Sequence, residues 1–193
     1  MLADLVRKNR TCRSFDPDRK VTEEDLLYMM DCARLTASSQ NRQGVRYVPI
    51  LEEEEVQILH EETHLGALLP ELHLPPEGME PSAYIILCLD REITKGQSNF
   101  LKDIGIAAQT VTLAATERDL GACMIGNFSP KKVSERLGIP DGIEPNLIIA
   151  VGGCGETFVI EEIHAGESTN YYRDADGVHH VPKLALEDVI VKR

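Results

Sequence analysis

The chain has 193 residues, 20 of them basic and 32 acidic, for a net charge of −12. That balance leaves no basic stripe able to neutralise phosphates, so no nucleic-acid partner is expected, and it disfavours docking on an anionic membrane. With 42% hydrophobic and 27% charged residues the composition fits an ordinary soluble globular protein, long enough for one domain over 1–193 with a substantial core.

A first helix is expected over Leu2–Lys8, delivering its end to the cluster Asn9-Arg10-Thr11-Cys12-Arg13-Ser14-Phe15. A second follows Val21-Thr22-Glu23-Glu24-Asp25, with Thr22 as its cap and Asp25 in its first turn. Its apolar positions Leu26, Leu27, Met30, Ala33 and Leu35 recur at helical spacing. Residues 45–51 read as a strand, placed at an edge or strand end by Pro49. The acidic run Glu52–Glu55 starts a surface helix, where carboxylates suit the N-terminal dipole. Residues 63–81, punctuated by Pro70, Pro75, Pro76, Gly78 and Pro81, read as loop.

Ala83–Leu89 is a continuous apolar run suited to a buried strand. Ser98–Arg118 is the longest helix, rich in Ala and apolar around its circumference, and so expected at the centre and in a subunit contact. Strands at Ala122–Ile125 and Asn146–Val151 enclose a helix at Pro130–Leu137, a mixed α/β pattern without repeats. No stretch approaches the roughly 18 apolar residues of a membrane span. The first five residues lack the apolar region of a signal peptide. The cysteines (Cys12, Cys32, Cys88, Cys123, Cys154) are scattered without metal or redox spacing, and a reducing cytoplasm is the expected location.

Two short basic clusters stand out in so acidic a chain. In the first, Arg10 and Arg13 flank Thr11 and Cys12. Guanidinium forks offer paired donors to a phosphate, and Thr11 adds one more. On residue types alone the segment serves equally as a helix end with capping charges. The second cluster is His180-Val181-Pro182-Lys183. Between them, Thr36-Ala37-Ser38-Ser39-Gln40-Asn41-Arg42-Gln43 has the composition of a polar loop closing a helix.

Arg10-Thr11-Cys12-Arg13-Ser14-Phe15, Ser38-Ser39-Gln40-Asn41-Arg42-Gln43, Leu120-Gly121-Ala122-Cys123-Met124-Ile125-Gly126 and Val181-Pro182-Lys183 occur in this order. In order and spacing they resemble the successive motifs of the nitroreductase family of FMN-dependent oxidoreductases, over about residues 4 to 190. The resemblance implies an α+β fold, a three-layer α/β/α nitroreductase-like arrangement with a central, mostly antiparallel sheet. It also implies an obligate homodimer with FMN at the interface.

Carried over by that resemblance, Arg10 and Thr11 bind phosphate or ribityl oxygens. Arg13 lies nearer the N1/O2 edge of the ring, where a fixed cation stabilises the charge of the reduced flavin and raises its potential. Ser38, Ser39, Asn41 and Gln43 become hydrogen-bonding candidates toward the cofactor of the partner subunit. Backbone groups of Met124, Ile125 and Gly126 approach the N5 side, Gly126 allowing close passage, and Lys183 contacts the phosphate. The chain departs from the family pattern at Ala37, usually Pro, and at Gly44-Val45, often Pro-Trp. It departs again at Leu184-Ala185, where many relatives carry a second basic residue, and this thins the phosphate clamp.

The implied reaction has two steps. NADH or NADPH passes hydride to the flavin and leaves; an electron-poor small molecule, such as a nitroaromatic or quinone, then takes its place. No side chain need be an acid or base. An acidic surface disfavours the extra phosphate of NADPH. Two alternatives stand beside this: the same fold with other chemistry, as in relatives that dehalogenate aromatics or break down flavin, for which residues 60–81 are the available lid; and a non-catalytic flavin-binding or purely structural dimer, for which the clamp thinned at Leu184-Ala185 speaks.

Two other patterns are set aside. Val151-Gly152-Gly153-Cys154-Gly155-Glu156 follows a strand as a dinucleotide-binding turn does, but Phe158 stands where the last glycine belongs and no helix opens there. His60 and His64 are four apart, yet Gly66 and Pro70 break the helix, and the histidines are read as surface residues. Cys12 and Cys123 are read as packing residues.

Overall fold

The computed structural model describes residues 1–66 and 70–192. In chain order the elements are α1 (Leu2–Lys8), β1 (Phe15–Asp16), α2 (Glu23–Arg34), β2 (Val45–Ile50), α3 (Glu53–Glu62), β3 (Ala83–Asp90), α4 (Arg91–Thr94) and α5 (Leu101–Glu117). They continue with β4 (Leu120–Ile125), α6 (Pro130–Leu137), β5 (Ile143–Cys154), β6 (Phe158–Ile163), β7 (Tyr172–Arg173), β8 (His179–Leu184) and α7 (Leu186–Val189). Two compact units result, Met1–Gly155 and the residues from Glu156 onward.

In the first unit β5 is the centre of an antiparallel sheet. It pairs β3 and then β1 along one side and β4 along the other, while β2 pairs β3 from outside. Pro49 therefore sits on an edge strand, where its missing N–H costs nothing. Side chains alternate across β3. Ala83, Ile85, Leu87 and Leu89 join the core formed with α2 and α5, and Tyr84, Ile86 and Cys88 are buried on the opposite side, the side of α3 and α6. Helices on both faces of one sheet make the three-layer α+β arrangement.

Helix α2 starts as its sequence dictates. The Thr22 hydroxyl accepts from the Asp25 amide (3.2 Å) and the Asp25 carboxylate accepts from the Thr22 amide (3.0 Å). Within the helix the buried positions are Leu26, Met29 and Ala33. Leu27 and Leu35, expected on that face, are exposed at 55% and 68%, because the stripe that packs on α5 follows 26, 29, 33. Asp25 also receives Arg19 (3.2 Å) and Arg118 (3.1 Å). Burial pushes its carboxyl up, but the Thr22 amide and the two arginines outweigh that and hold it at about 2.

The segment 151–156 forms no phosphate turn. Gly152 and Gly153 continue β5, and a β-carbon on Gly152 would stand 2.7 Å from Phe15 Cδ1. The glycines make room for protein. His60 lies in α3 and His64 beyond its end, so they share no helix face. Among the described residues no group of three or more His, Cys, Asp or Glu side chains is placed to hold a metal ion. Of the loop expected over 63–81, residues 67–69 lie outside the described residues.

The second unit is a small sheet with β8 at its centre, parallel to β6 and antiparallel to β7. Two histidines here depart from the surface reading. His179 is 1% exposed and stacks on Tyr171. His180 lies flat on Tyr172, centroids 4.6 Å apart, with Nδ1 2.7 Å from Glu161 and Nε2 3.0 Å from Asp174. Asp174 first, then Glu161, raise its pKa above the ordinary value.

Candidate functional site

The basic segment is fixed at both ends. Asn9 donates from its amide to the Thr112 carbonyl and the Thr116 hydroxyl, both at 2.9 Å, tying the end of α1 to the far half of α5. Thr11 then forms a parallel bridge with Ala122, and the Cys12 amide donates to the Ala122 carbonyl at 3.0 Å. Since β5 occupies the other side of β4, residues 11–12 lie along the outer edge of β4. From there the chain crosses the sheet face to reach β1. Gly121 permits that crossing, because a β-carbon there would be 2.7 Å from Cys12 Cβ.

Arg10 is half-buried at the start of this path. Its Nη2 donates to the Val6 carbonyl at 2.8 Å, so the capping use of the charge is real but partial. Its Nε is buried and has no hydrogen-bond partner among the described residues, and burial lowers its pKa. Thr11 is exposed and Arg13 half-buried. The bridge through Ala122 brings this segment beside the strand that ends in Met124, Ile125 and Gly126. Met124 is 40% exposed and Ile125 buried. Among the described residues a β-carbon at Gly126 would meet nothing within 4 Å, so this glycine meets no packing need there and leaves its backbone open to approach.

The Ser38–Gln43 loop is built against the first turn of α5. Ser39 donates its amide (2.9 Å) and its hydroxyl (2.8 Å) to the buried carboxylate of Asp103. The Ser38 hydroxyl accepts from the Gln43 amide at 3.0 Å. Gln40, Asn41 and Gln43 all have positive φ, at 54°, 53° and 51°. Non-glycine residues held in this region carry strain that the surroundings must enforce. Here Asp103 and the Arg46 guanidinium, which donates to the Gln43 carbonyl at 2.8 Å, do so. The side chains of Asn41 and Gln43 face solvent. A cavity of about 140 Å³ lies under the loop, between Ala33, Tyr47 and Ala107, smaller than the roughly 300 Å³ at which ligand pockets begin.

The predicted residues of the first unit fall into two places. Arg10, Thr11 and Arg13 join Met124, Ile125 and Gly126 at the edge of β4. Ser38, Ser39, Asn41 and Gln43 sit by Asp103, about 14 Å of helix rise from the turn of α5 that holds Asn9. Lys183 is exposed on β8 in the second unit. Asn9 and Asp103, which anchor the two halves, lie outside the motifs that the resemblance points to. Asp103 does carry a signal, an acid in the first turn of a helix rich in Ala and other apolar residues.

These observations define a three-layer α+β protein with an arginine-bearing segment laid along the edge of its sheet. The Nitroreductase family model matches residues 6–153. The chain belongs to the nitroreductase family, and its class of chemistry is that of an oxidoreductase. The Archaeoglobus fulgidus protein named "Putative NADH dehydrogenase/NAD(P)H nitroreductase" is 24% identical over 153 residues, 77% of this chain and 82% of that one. A nitroreductase family protein from Streptococcus pneumoniae TIGR4 shares the fold over 100% of both chains, with TM-score 0.72 and 20% identity. A Desulfovibrio desulfuricans "putative nitroreductase in complex with fmn" shares it over 80% of this chain and 87% of its own, with TM-score 0.68 and 22% identity.

Proposed function

We propose that this protein is a cytoplasmic, homodimeric, FMN-dependent oxidoreductase. It transfers electrons from NADH or NADPH to an electron-poor small molecule such as a nitroaromatic or quinone. The observation that carries the reading is the Arg10 Nε, a buried donor lacking an acceptor among the described residues of a chain rich in carboxylates. A buried donor is nearly always satisfied, and a phosphate or ribityl oxygen would satisfy this one. The FMN of the Desulfovibrio relative and the NAD(P)H in the Archaeoglobus relative's name support the same cofactor and donor.

In this reading Arg10 and Thr11 would hold the phosphate end of FMN. Arg13 would supply a positive charge that favours the reduced flavin, and the backbone of Met124, Ile125 and Gly126 would line the same site. FMN, when bound, supplies two-electron transfer between a nicotinamide nucleotide and the acceptor. The chain supplies orientation and charge. Ser39 holds its loop in place through Asp103, leaving Ser38, Asn41 and Gln43 to face a partner's site. A dimer is supported by the exposed apolar residues Leu2 and Val6 of α1 and Leu101 and Ile106 of α5. The net charge of −12 favours NADH over the more anionic NADPH.

The test is a visible spectrum of protein purified without added cofactor, followed by anaerobic addition of NADH or NADPH. Flavin bands near ~450 nm that bleach on addition are expected. A colourless protein that takes up no FMN overturns the proposal.

A further inference from the structure

Cys12, in the connection before β1, and Cys154, at the end of β5, approach one point. A β-carbon built on Gly121 would lie 2.7 Å from Cys12 Cβ, 2.8 Å from Cys12 Sγ and 3.1 Å from Cys154 Cβ. The two cysteine β-carbons can therefore be no farther apart than those two Cβ distances laid end to end. A disulfide needs roughly 3.5–4.5 Å between β-carbons, so an ångström-scale shift with χ1 rotation is enough to join them. The bare Cα of Gly121 keeps clear the space that any side chain would fill.

The two thiols differ in access: Cys12 is buried and Cys154 exposed at the last residue of β5. That asymmetry suits an attacking thiol and a resolving one. Cys88, by contrast, is buried within β3 and its thiol is pushed up to about 12, a poor nucleophile. Cys123 stands two residues after Gly121 on the same face of β4 and is the competing partner for Cys12.

We propose that Cys12 and Cys154 form a reversible disulfide when the protein meets a small-molecule disulfide. The Cys154 thiolate attacks one sulfur of that oxidant, making a mixed disulfide and releasing one small thiol. Cys12 then attacks the Cys154 sulfur and releases the second. Two protein thiols lose two electrons, and their two protons leave on the two small thiols. The oxidant's S–S bond breaks as the protein's forms. The new bond fastens the segment between Arg10 and Arg13 across the end of β5. Transient bonds of this kind are compatible with a reducing compartment, and the proposal does not depend on flavin binding.

The intact protein is treated with oxidised glutathione, blocked with N-ethylmaleimide, digested without reductant and mapped by mass spectrometry. The expected product is a single cross-linked peptide joining Cys12 to Cys154, with two of the five thiols protected. It is reversed by dithiothreitol, accompanied by a higher Tm, retained in Cys123→Ser and lost in Cys154→Ser. A stable glutathione adduct on Cys154 without a cross-link overturns the proposal. So does a Cys12–Cys123 cross-link, or five alkylated thiols after oxidation. The peptide map of the unsubstituted protein decides the matter even where a variant fails to fold.

Discussion

The buried carboxylate of Asp103 accepts both the amide and the hydroxyl of Ser39, at 2.9 and 2.8 Å. One carboxylate on the first turn of α5 thereby holds a loop whose next residues are in left-handed backbone conformations. Asp103→Ala should cost about 1–3 kcal/mol, the usual penalty for removing one side of a buried, charge-assisted pair. Urea denaturation checks the stability. Hydrogen exchange should show the loss of protection concentrated at residues 38–43.

Arg10→Ala removes the buried guanidinium donor. If one charge-assisted hydrogen bond to a phosphate is lost, about 1.5–3 kcal/mol, FMN should dissociate roughly 10- to 100-fold more readily. Fluorescence titration with FMN measures this. Arg13→Ala should in addition lower the flavin potential, read by dye-coupled reduction, since the cation favours the reduced ring.

Asp25 sets an acid limit. Its carboxyl sits at about 2 in the folded chain against roughly 3.9 when unfolded. The folded pKa is depressed, so this contribution is fully present above pH ~4 and is lost as pH falls toward 2, amounting to about 2 kcal/mol. Denaturation midpoints measured from pH 6 to 2 should fall in that window. In Asp25→Asn they should start lower and fall less.

His180 works in the opposite direction. With a carboxylate on each ring nitrogen, only the imidazolium can donate to both Glu161 and Asp174. Its folded pKa is raised, so its contribution is complete below about 6.5 and is lost as pH rises through the raised value. Amide protection in residues 172–183 should decline with alkalinity through that range, and His180→Gln should abolish the dependence.

Gly121→Ala is expected to destabilise the chain by about 1–3 kcal/mol, the range for overpacking a filled site. The added carbon meets the backbone-anchored side chain of Cys12 at 2.7 Å. Thermal unfolding measures the loss.

Local chemistry made much of this legible from sequence. The Thr22–Asp25 capping box, Pro130 at the start of α6 and the apolar run of β3 each announce their element through neighbours a few residues away. What escaped was long-range. The pairing of Asn9 with Thr112 and Thr116 spans most of the first unit, and no periodicity encodes it. Within α2, Leu27 and Met29 are equally apolar, and only packing against α5 selects Met29. In the second unit, β6 carries Glu161 and Glu162 and pairs in parallel with a strand beyond a long connection, so its sequence has neither a hairpin turn nor a buried run. The site's segments were visible one by one. That the loop at Ser38 and the segment at Arg10 lie near opposite ends of α5 is a property of the fold.

The crossing over Gly121 and Gly152 has a temporal consequence. The segment carrying Arg10 and Arg13 is made before its seat, which consists of β4 and β5 and ends only at Cys154. At typical synthesis speeds the segment waits on the order of ten seconds before that seat exists. This segment thus reaches its place long after it is made, and any anion gripped there is a ligand of a chain that has been extended past β5 and never of a shorter one.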